Sequence, residues 1–191
     1  KGIDQVLLGG APTGEGYEAK SKVWESFGMT ETISHIALRR LWPTPSEVAF
    51  QPLRGVRVSV DDSGCLVLDA PHLGVVDLHT NDEVELEEQG GFIWKGRKDE
   101  VINTGGVKVH PEAIEYAASQ LDSRPCRAFG APHPNLGQEV VLAVHGTGSP
   151  EEAEVLRLAL LNRLPKHHAP KRVEFRTLDQ TPSGKWIRPR P

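Results

Sequence analysis

The residues best suited to chemistry gather between Trp94 and Glu115. There the apolar run Gly91-Phe92-Ile93-Trp94 turns sharply into the charged triplet Arg97-Lys98-Asp99. A short strand, Val101-Ile102-Asn103, a Gly105-Gly106 loop and a second strand, Val107-Lys108-Val109, follow. Pro111-Glu112 then opens a helix with proline in its first turn, where the missing N–H costs nothing. Charge at a chain reversal, followed by glycines flanked by strands, is where backbone approaches a ligand or bends as a hinge. Three more polar stretches stand out: Thr30-Glu31 after Phe27-Gly28-Met29, Asp82 after Thr80-Asn81, and Lys185 after Pro182-Ser183-Gly184. Taken singly, each has a plain structural reading. Thr30-Glu31 and Thr80-Asn81-Asp82 read as solvated turns, Arg97-Lys98-Asp99 as a surface turn of self-compensating charges, and Lys185 as part of a basic tail.

Taken together and in order, these motifs resemble the core signature of the adenylate-forming ligases: acyl-CoA synthetases, luciferases and nonribosomal-peptide adenylation domains. The resemblance covers nearly the whole chain but only the family's C-terminal portion. The family's upstream Ser/Thr/Gly-rich phosphate loop with its lysine is absent. Thr104-Gly105-Gly106-Val107-Lys108 mimics that loop, but it does not sit between a strand and a long helix. The resemblance implies ATP/AMP, Mg²⁺ and coenzyme A as cofactors and a small carboxylate as substrate. It places Gly9-Gly10-Ala11 against adenine, with Phe27 and Gly28 in the nucleotide site. It makes Thr30 a phosphate donor, Glu31 the Mg²⁺ ligand, Asp82 the acceptor for both ribose hydroxyls and Arg97 a ribose and phosphate contact. Asp99 becomes the hinge of a swinging C-terminal domain, Gly105-Gly106 the backbone that meets pantetheine, and Lys185 the adenylation catalyst. These roles make chemical sense: a hard cation takes carboxylate oxygen and keeps phosphates as its other ligands, and a carboxylate offers a vicinal diol two acceptors.

Met29-Thr30-Glu31-Thr32-Ile33-Ser34-His35-Ile36-Ala37-Leu38-Arg39 resembles one branch in particular, the o-succinylbenzoate–CoA ligases of menaquinone synthesis. Thr80 to Leu86 and Val101 to Lys108 fit that branch as well. Its substrate carries two carboxylates and a keto group, so a second polar contact is expected. Ser34 and His35 are the candidates, the alternative for His35 being a histidine packed in a strand and satisfied by backbone. Another acyl-CoA ligase of the superfamily is the second reading. A non-catalytic module that binds a nucleotide, a CoA-like ligand or a partner protein is the third.

The implied fold is α+β, in three parts. Residues 1–41 are an α/β remnant, 42–95 a small distorted β-barrel of the large domain, and 96–191 a small mobile α+β domain. The residues themselves supply the elements. Val6-Leu7-Leu8 has a buried-strand pattern and ends at small residues, and Val23 to Phe27 is a strand. The hydrophilic stretch Thr13 to Lys22 is shorter than the helix-bearing link usual in the family. Val56 to Val60, Cys65 to Leu68 and Val75 to Leu78 are short strands, with Asp61-Asp62-Ser63-Gly64 as a hairpin turn. Ile114, Ala117, Ala118 and Leu121 line one helix. Ser149-Pro150-Glu151-Glu152 caps a second, whose face is Val155, Leu158, Ala159, Leu161 and Leu164. Arg127 to Gly130, Val140 to Val144 and Arg172 to Leu178 are strands, with Ala131 to Glu139 a Pro/Asn/Gly loop.

Composition is that of a globular chain: among its 191 residues 38% are hydrophobic and 25% charged, which argues against wholesale disorder. A net charge of −4 gives no electrostatic case for a nucleic-acid partner. No apolar run is long enough to span a membrane. Cys65 and Cys126 have neither paired nor metal-ligand spacing, which points to a reducing cytoplasm, and the adjacent His167 and His168 point apart rather than towards a shared metal. Lys1-Gly2-Ile3-Asp4 enters the first strand with neither initiator methionine nor cap, the mark of a segment from a longer protein. Such a segment alone is expected to make no acyl-adenylate, and oligomeric state is not legible.

Overall fold

The structure, a computed structural model, describes residues 4–9, 21–43, 48–182 and 184–190. The chain divides into two compact units, Lys1–Lys98 and Asp99–Pro191. Its architecture is α+β, with three sheets and two α-helices among the described residues.

In the first unit, β1 (Gln5–Leu8) pairs in parallel with β2 (Lys22–Gly28). β3 (His35–Trp42) and β4 (Gln51–Pro52) extend the sheet antiparallel in the order β1-β2-β3-β4. The β1 segment is not buried as its apolar run suggests: it forms the sheet edge, and Leu7 is 50% exposed. A second sheet follows as a meander of β5 (Arg57–Val60), β6 (Cys65–Ala70), β7 (Val75–Leu86) and β8 (Phe92–Arg97). Cys65-Leu66-Val67-Leu68 is buried on both faces, which is why it reads as a continuous apolar run. Phe50 and Phe92 exchange backbone hydrogen bonds of 2.8 and 3.0 Å, tying the start of β8 to the entrance of β4. Thr80-Asn81-Asp82 is not a turn but lies inside β7, whose pairing with β6 and β8 overrides the turn preference of these residues.

The turn that does form between β5 and β6 is fixed by Asp61, whose Oδ1 accepts from the Ser63 hydroxyl at 2.6 Å, the Ser63 amide at 2.8 Å and the Cys65 amide at 3.0 Å. The Ser63 hydroxyl foremost, then the Cys65 amide, hold its carboxyl down from 3.8 to about 2. A carboxyl depressed in the folded state stabilises above its unfolded pKa and loses that contribution as pH falls through the folded value. Asp61 is therefore expected to titrate by carbon-13 NMR with a midpoint near 2, its contribution fading between about pH 4 and 2. In Ser63→Ala the midpoint should move back towards the ordinary carboxylate range.

In the second unit, β9 (Ile102–Thr104) and β10 (Val107–Val109) form a tight hairpin. The chain continues through α1 (Pro111–Ser119), β11 (Cys126–His133), β12 (Gly137–His145), α2 (Pro150–Leu161) and β13 (Arg172–Arg176). The sheet order is β10-β9-β12-β11, with β13 paired in parallel to β12. The period of two along β12 sends Val140, Leu142 and Val144 to one face, where α1 and α2 bring Ile114, Ala118, Leu156 and Leu160. Val141 and Ala143 face the opposite way, onto Phe129, Ala131, Leu178 and Trp186.

Three expectations need correction here. The stretch Ala131 to Glu139 is mostly strand: β11 runs to His133 and β12 starts at Gly137, leaving only residues 134–136 as the loop. Leu121 falls beyond α1 and is 36% exposed. Helix α2 buries Leu156 and Leu160 and leaves Val155, Leu158 and Leu161 exposed, so its core stripe is rotated by about one residue, roughly 100°, from the one expected. Its start does follow the capping box: the Ser149 hydroxyl accepts from the Glu152 amide at 3.2 Å, and the Glu152 carboxylate accepts from the Ser149 amide at 2.8 Å.

Candidate active site

Strand β2 ends at Phe27-Gly28, and a 3₁₀ turn, Thr30–Thr32, carries the chain towards β3. Gly28 pairs with His35, so Thr30, Glu31, Ser34 and His35 all stand at one end of the β2–β3 pair. The turn is pinned from inside by the fully buried Thr32. Its hydroxyl oxygen accepts from the Met29 amide at 3.2 Å and lies 3.0 and 2.7 Å from the Met29 and Ser34 carbonyls. Thr30 and Glu31 are left exposed, side chains outward, and the Ser34 hydroxyl lies 3.3 Å from His35 Nδ1. Ile33, 90% exposed, closes the turn with φ at 60°, a left-handed conformation that a β-branched residue rarely adopts. Such strain gathers where a turn must present particular groups.

Gly28 is required by close approach. A Cβ there would stand 2.7 Å from the Ser34 carbonyl oxygen and 2.8 Å from the His35 Cα, both backbone atoms that cannot rotate away. Gly28→Ala is expected to cost the first unit about 1–3 kcal/mol, read as a lower urea midpoint. Towards the same end of the sheet, Gly9 packs on Ser26, whose hydroxyl donates to the Leu8 carbonyl at 3.0 Å. Gly10 and Ala11 lie outside the described residues. The Phe27 ring packs among Phe50 and Phe92 in the core.

Asp82 and Arg97 are fifteen positions apart in sequence and become direct cross-strand partners on β7 and β8. The Asp82 carboxylate is buried, and the Trp94 indole N–H donates to its Oδ1 at 2.9 Å. Thr80 supports the same segment: its hydroxyl donates to the Leu66 carbonyl at 2.8 Å and its oxygen accepts from the Asp82 amide at 3.1 Å. Trp94 has no signal of its own in the sequence; only the pairing register brings its ring to Asp82.

The remaining candidates belong to the second unit. Asp99 is exposed in the short turn Lys98–Glu100 at the boundary between the units. Gly105 and Gly106 form the two-residue β9–β10 turn, with φ at 57° and 82°. This is the left-handed pair that a tight hairpin demands and that glycine adopts freely. Two strands, not a strand and a long helix, flank these glycines, so the resemblance to a phosphate loop is superficial. The Gly105 amide donates to the Leu136 carbonyl at 2.9 Å. Lys185 is exposed on the loop closed by the Gln180–Trp186 bridge. In that loop the Thr181 amide donates to the Lys185 carbonyl at 2.8 Å, and the Lys185 amide to the Thr181 hydroxyl at 3.1 Å.

No family model matches the chain. It is 26% identical over 207 aligned positions to the 2-succinylbenzoate–CoA ligase of Listeria monocytogenes, covering 96% of this chain and 44% of that protein. It is 30% identical over 195 positions to the probable 2-succinylbenzoate–CoA ligase of Mycobacterium tuberculosis, covering 90% of this chain and 48% of that protein. The chain thus spans less than half the length of these relatives. In three dimensions it matches the o-succinylbenzoate–CoA synthetase of Bacillus subtilis, solved with its acyl-adenylate intermediate, at a TM-score of 0.77 and 19% identity. That match covers 96% of this chain and 45% of the other, and it establishes the fold.

The chain is α+β, and its fold is the one seen in that solved synthetase. Its homologues, matched over nine-tenths or more of its length, are named as 2-succinylbenzoate–CoA ligases. No helix among the described residues is long and apolar enough to cross a membrane.

Proposed function

We propose that this chain is the carboxyl-terminal part of an acid–CoA ligase that activates a carboxylate with ATP and passes it to coenzyme A, with o-succinylbenzoate as its acid. The observation that carries this reading is the sequence relationship, over nearly the whole chain, to ligases named for that acid. The motif residues fit the groups such a reaction requires. Asp82, held by Trp94, and Arg97, its partner across the ladder, are a carboxylate and a guanidinium, the kinds of acceptor and donor that a ribose diol and a phosphate need. Glu31 offers one exposed hard-oxygen ligand. That suits Mg²⁺, which takes one or two carboxylates and completes its shell with phosphates and water. The Gly105-Gly106 turn is exposed, and a Cβ on Gly106 would meet nothing within 4 Å, so backbone is open to a narrow pantetheine arm.

ATP, when bound, supplies the electrophilic α-phosphate and pyrophosphate as leaving group. The chain's own task is to bring two anions together. The Lys185 ammonium neutralises the substrate carboxylate and the α-phosphate as they approach, and Thr30 donates to a phosphate oxygen. Ser34 and His35 hold the second polar end of the acid. Two free buried cysteines, Cys65 and Cys126, accord with work in a reducing cytoplasm.

The test is thioester formation by the full-length protein with ATP, Mg²⁺, coenzyme A and o-succinylbenzoate. This chain by itself should release no pyrophosphate above background. Turnover of a different acid keeps the ligase reading and discards o-succinylbenzoate. Nucleotide binding with no thioester from any acid marks a binding module instead.

A further inference from the structure

Residues 179–190 contribute no long element to the second unit, yet the segment is fastened at three places. The Leu178 amide enters by donating to His145 Nδ1 at 3.1 Å. After the loop, Trp186 packs 4.6 Å from the His145 ring, and its carbonyl accepts from Arg127 Nε at 3.1 Å. Two residues on, the half-buried Arg188 turns inward to three carboxylates. It pairs with Glu115 at 2.9 Å, with Glu112 at 3.4 Å, and with Glu100. Glu115 is shared: Arg127 lies 3.3 Å from it, and the Ala128 amide donates to it at 2.9 Å. Burial pushes the Glu115 carboxyl up to about 8, with Arg127 and the Ala128 amide opposing the rise and the neighbouring Glu112 carboxylate adding to it.

The partners of Arg188 come from different parts of the unit. Glu112 and Glu115 lie on the first turns of α1, directly after the β9–β10 hairpin that carries Gly105-Gly106. Glu100 lies in the Lys98–Glu100 turn, one residue beyond Asp99. A guanidinium is planar and directional, and charge at this depth is tolerated only when paired, so this contact fixes orientation as well as distance. We propose that Arg188 is the positioning residue of the Lys185 loop, locking it to α1 and to the turn beside Asp99 so that lysine, hairpin and hinge side move as one body. The assignment of a task to Lys185 rests on the ligase reading above; the lock does not.

Proteolysis tests the lock without activity. Beyond Arg176, Lys185–Trp186 is the only bond trypsin favours, because Arg188 and Arg190 are each followed by proline. Cutting there requires several residues on either side to open, Arg188 among them, and the rate tracks the open population. Arg188→Ala in this chain should release Trp186–Pro191 at least about tenfold faster than wild type, with Arg188→Lys between the two. If Arg188→Ala does not fold, Glu100→Gln, which removes one arm at the most exposed of the three carboxylates, should also accelerate the cut. A folded variant cut at the wild-type rate overturns the lock.

In the full-length protein, Arg188→Ala should lower kcat for acyl-adenylate formation about tenfold or more, with KM for ATP unchanged. It should spare thioester formation from supplied acyl-adenylate. Faster proteolysis with both half-reactions intact overturns the positioning role. A wild-type protein that makes no adenylate from any acid overturns the ligase reading, while the proteolysis result still decides the lock.

Discussion

Replacing Lys185 by alanine in the full-length protein is expected to slow acyl-adenylate formation by about 10²- to 10³-fold while leaving thioester formation from a supplied acyl-adenylate near wild type. The size follows from what the ammonium would replace. A carboxylate attacking a phosphate brings like charges together, and one cation that touches both stabilises the transition state of their approach. The selectivity follows from the second half-reaction, in which a thiol attacks an already neutralised carbonyl and needs no such bridge. Lys185 is free to act because its backbone, not its side chain, is committed: both its amide and its carbonyl are bound to Thr181, and the side chain is exposed. Separate assays of pyrophosphate exchange and of thioester formation from synthetic adenylate check this. Equal loss in both would take Lys185 out of the adenylation step.

Much of this chain is legible without coordinates, and the parts that are not share a cause. Turn and cap chemistry is local, so Asp61 to Gly64, Ser149 to Glu152 and Gly105-Gly106 could be read from a few residues each. Burial depends on partners distant in sequence. Helix α2 has two apolar stripes, one through Val155, Leu158 and Leu161 and another through Leu156 and Leu160. Only the sheet beneath chooses between them. Thr80-Asn81-Asp82 shows local and distant forces at the same place. Its threonine still makes the short-range hydrogen bond to the Asp82 amide typical of a turn, and the ladder slips at Glu83/Val84, but two flanking strands hold it extended. The candidate residues were visible as a set of motifs, whereas their supports were not. Trp94 meets Asp82 only through the β7–β8 register, and Arg188 finds Glu115 across seventy-three positions.

The largest stability effect is expected at Phe92: replacing it by alanine should destabilise the first unit by about 3–5 kcal/mol. Its ring is fully buried, 5.2 Å from Phe27 edge-on and 5.7 Å from Phe50 in a stacked arrangement. Truncation would leave a cavity walled by β-sheet, whose hydrogen-bonded backbone relaxes little, and would strip two aromatic contacts beyond the lost area. The loss is large against the about 5–15 kcal/mol by which domains are stable at all. Phe92 also joins structure to site. Its backbone bonds Phe50 across the two sheets, Phe27 on its edge leads directly into Gly28-Met29-Thr30, and two residues on along β8 stands Trp94 with its bond to Asp82. Loosening this cluster would therefore unsettle the Thr30-Glu31 turn and the Asp82–Arg97 pair together. Urea unfolding followed by tryptophan fluorescence in a Trp186→Phe background, so that Trp24, Trp42 and Trp94 report, reads the midpoint, and Phe92→Leu, which keeps most of the volume, should recover a large part of the loss. A Phe92→Ala midpoint within error of wild type would mean that Phe27 and Phe50 hold the two sheets together without it.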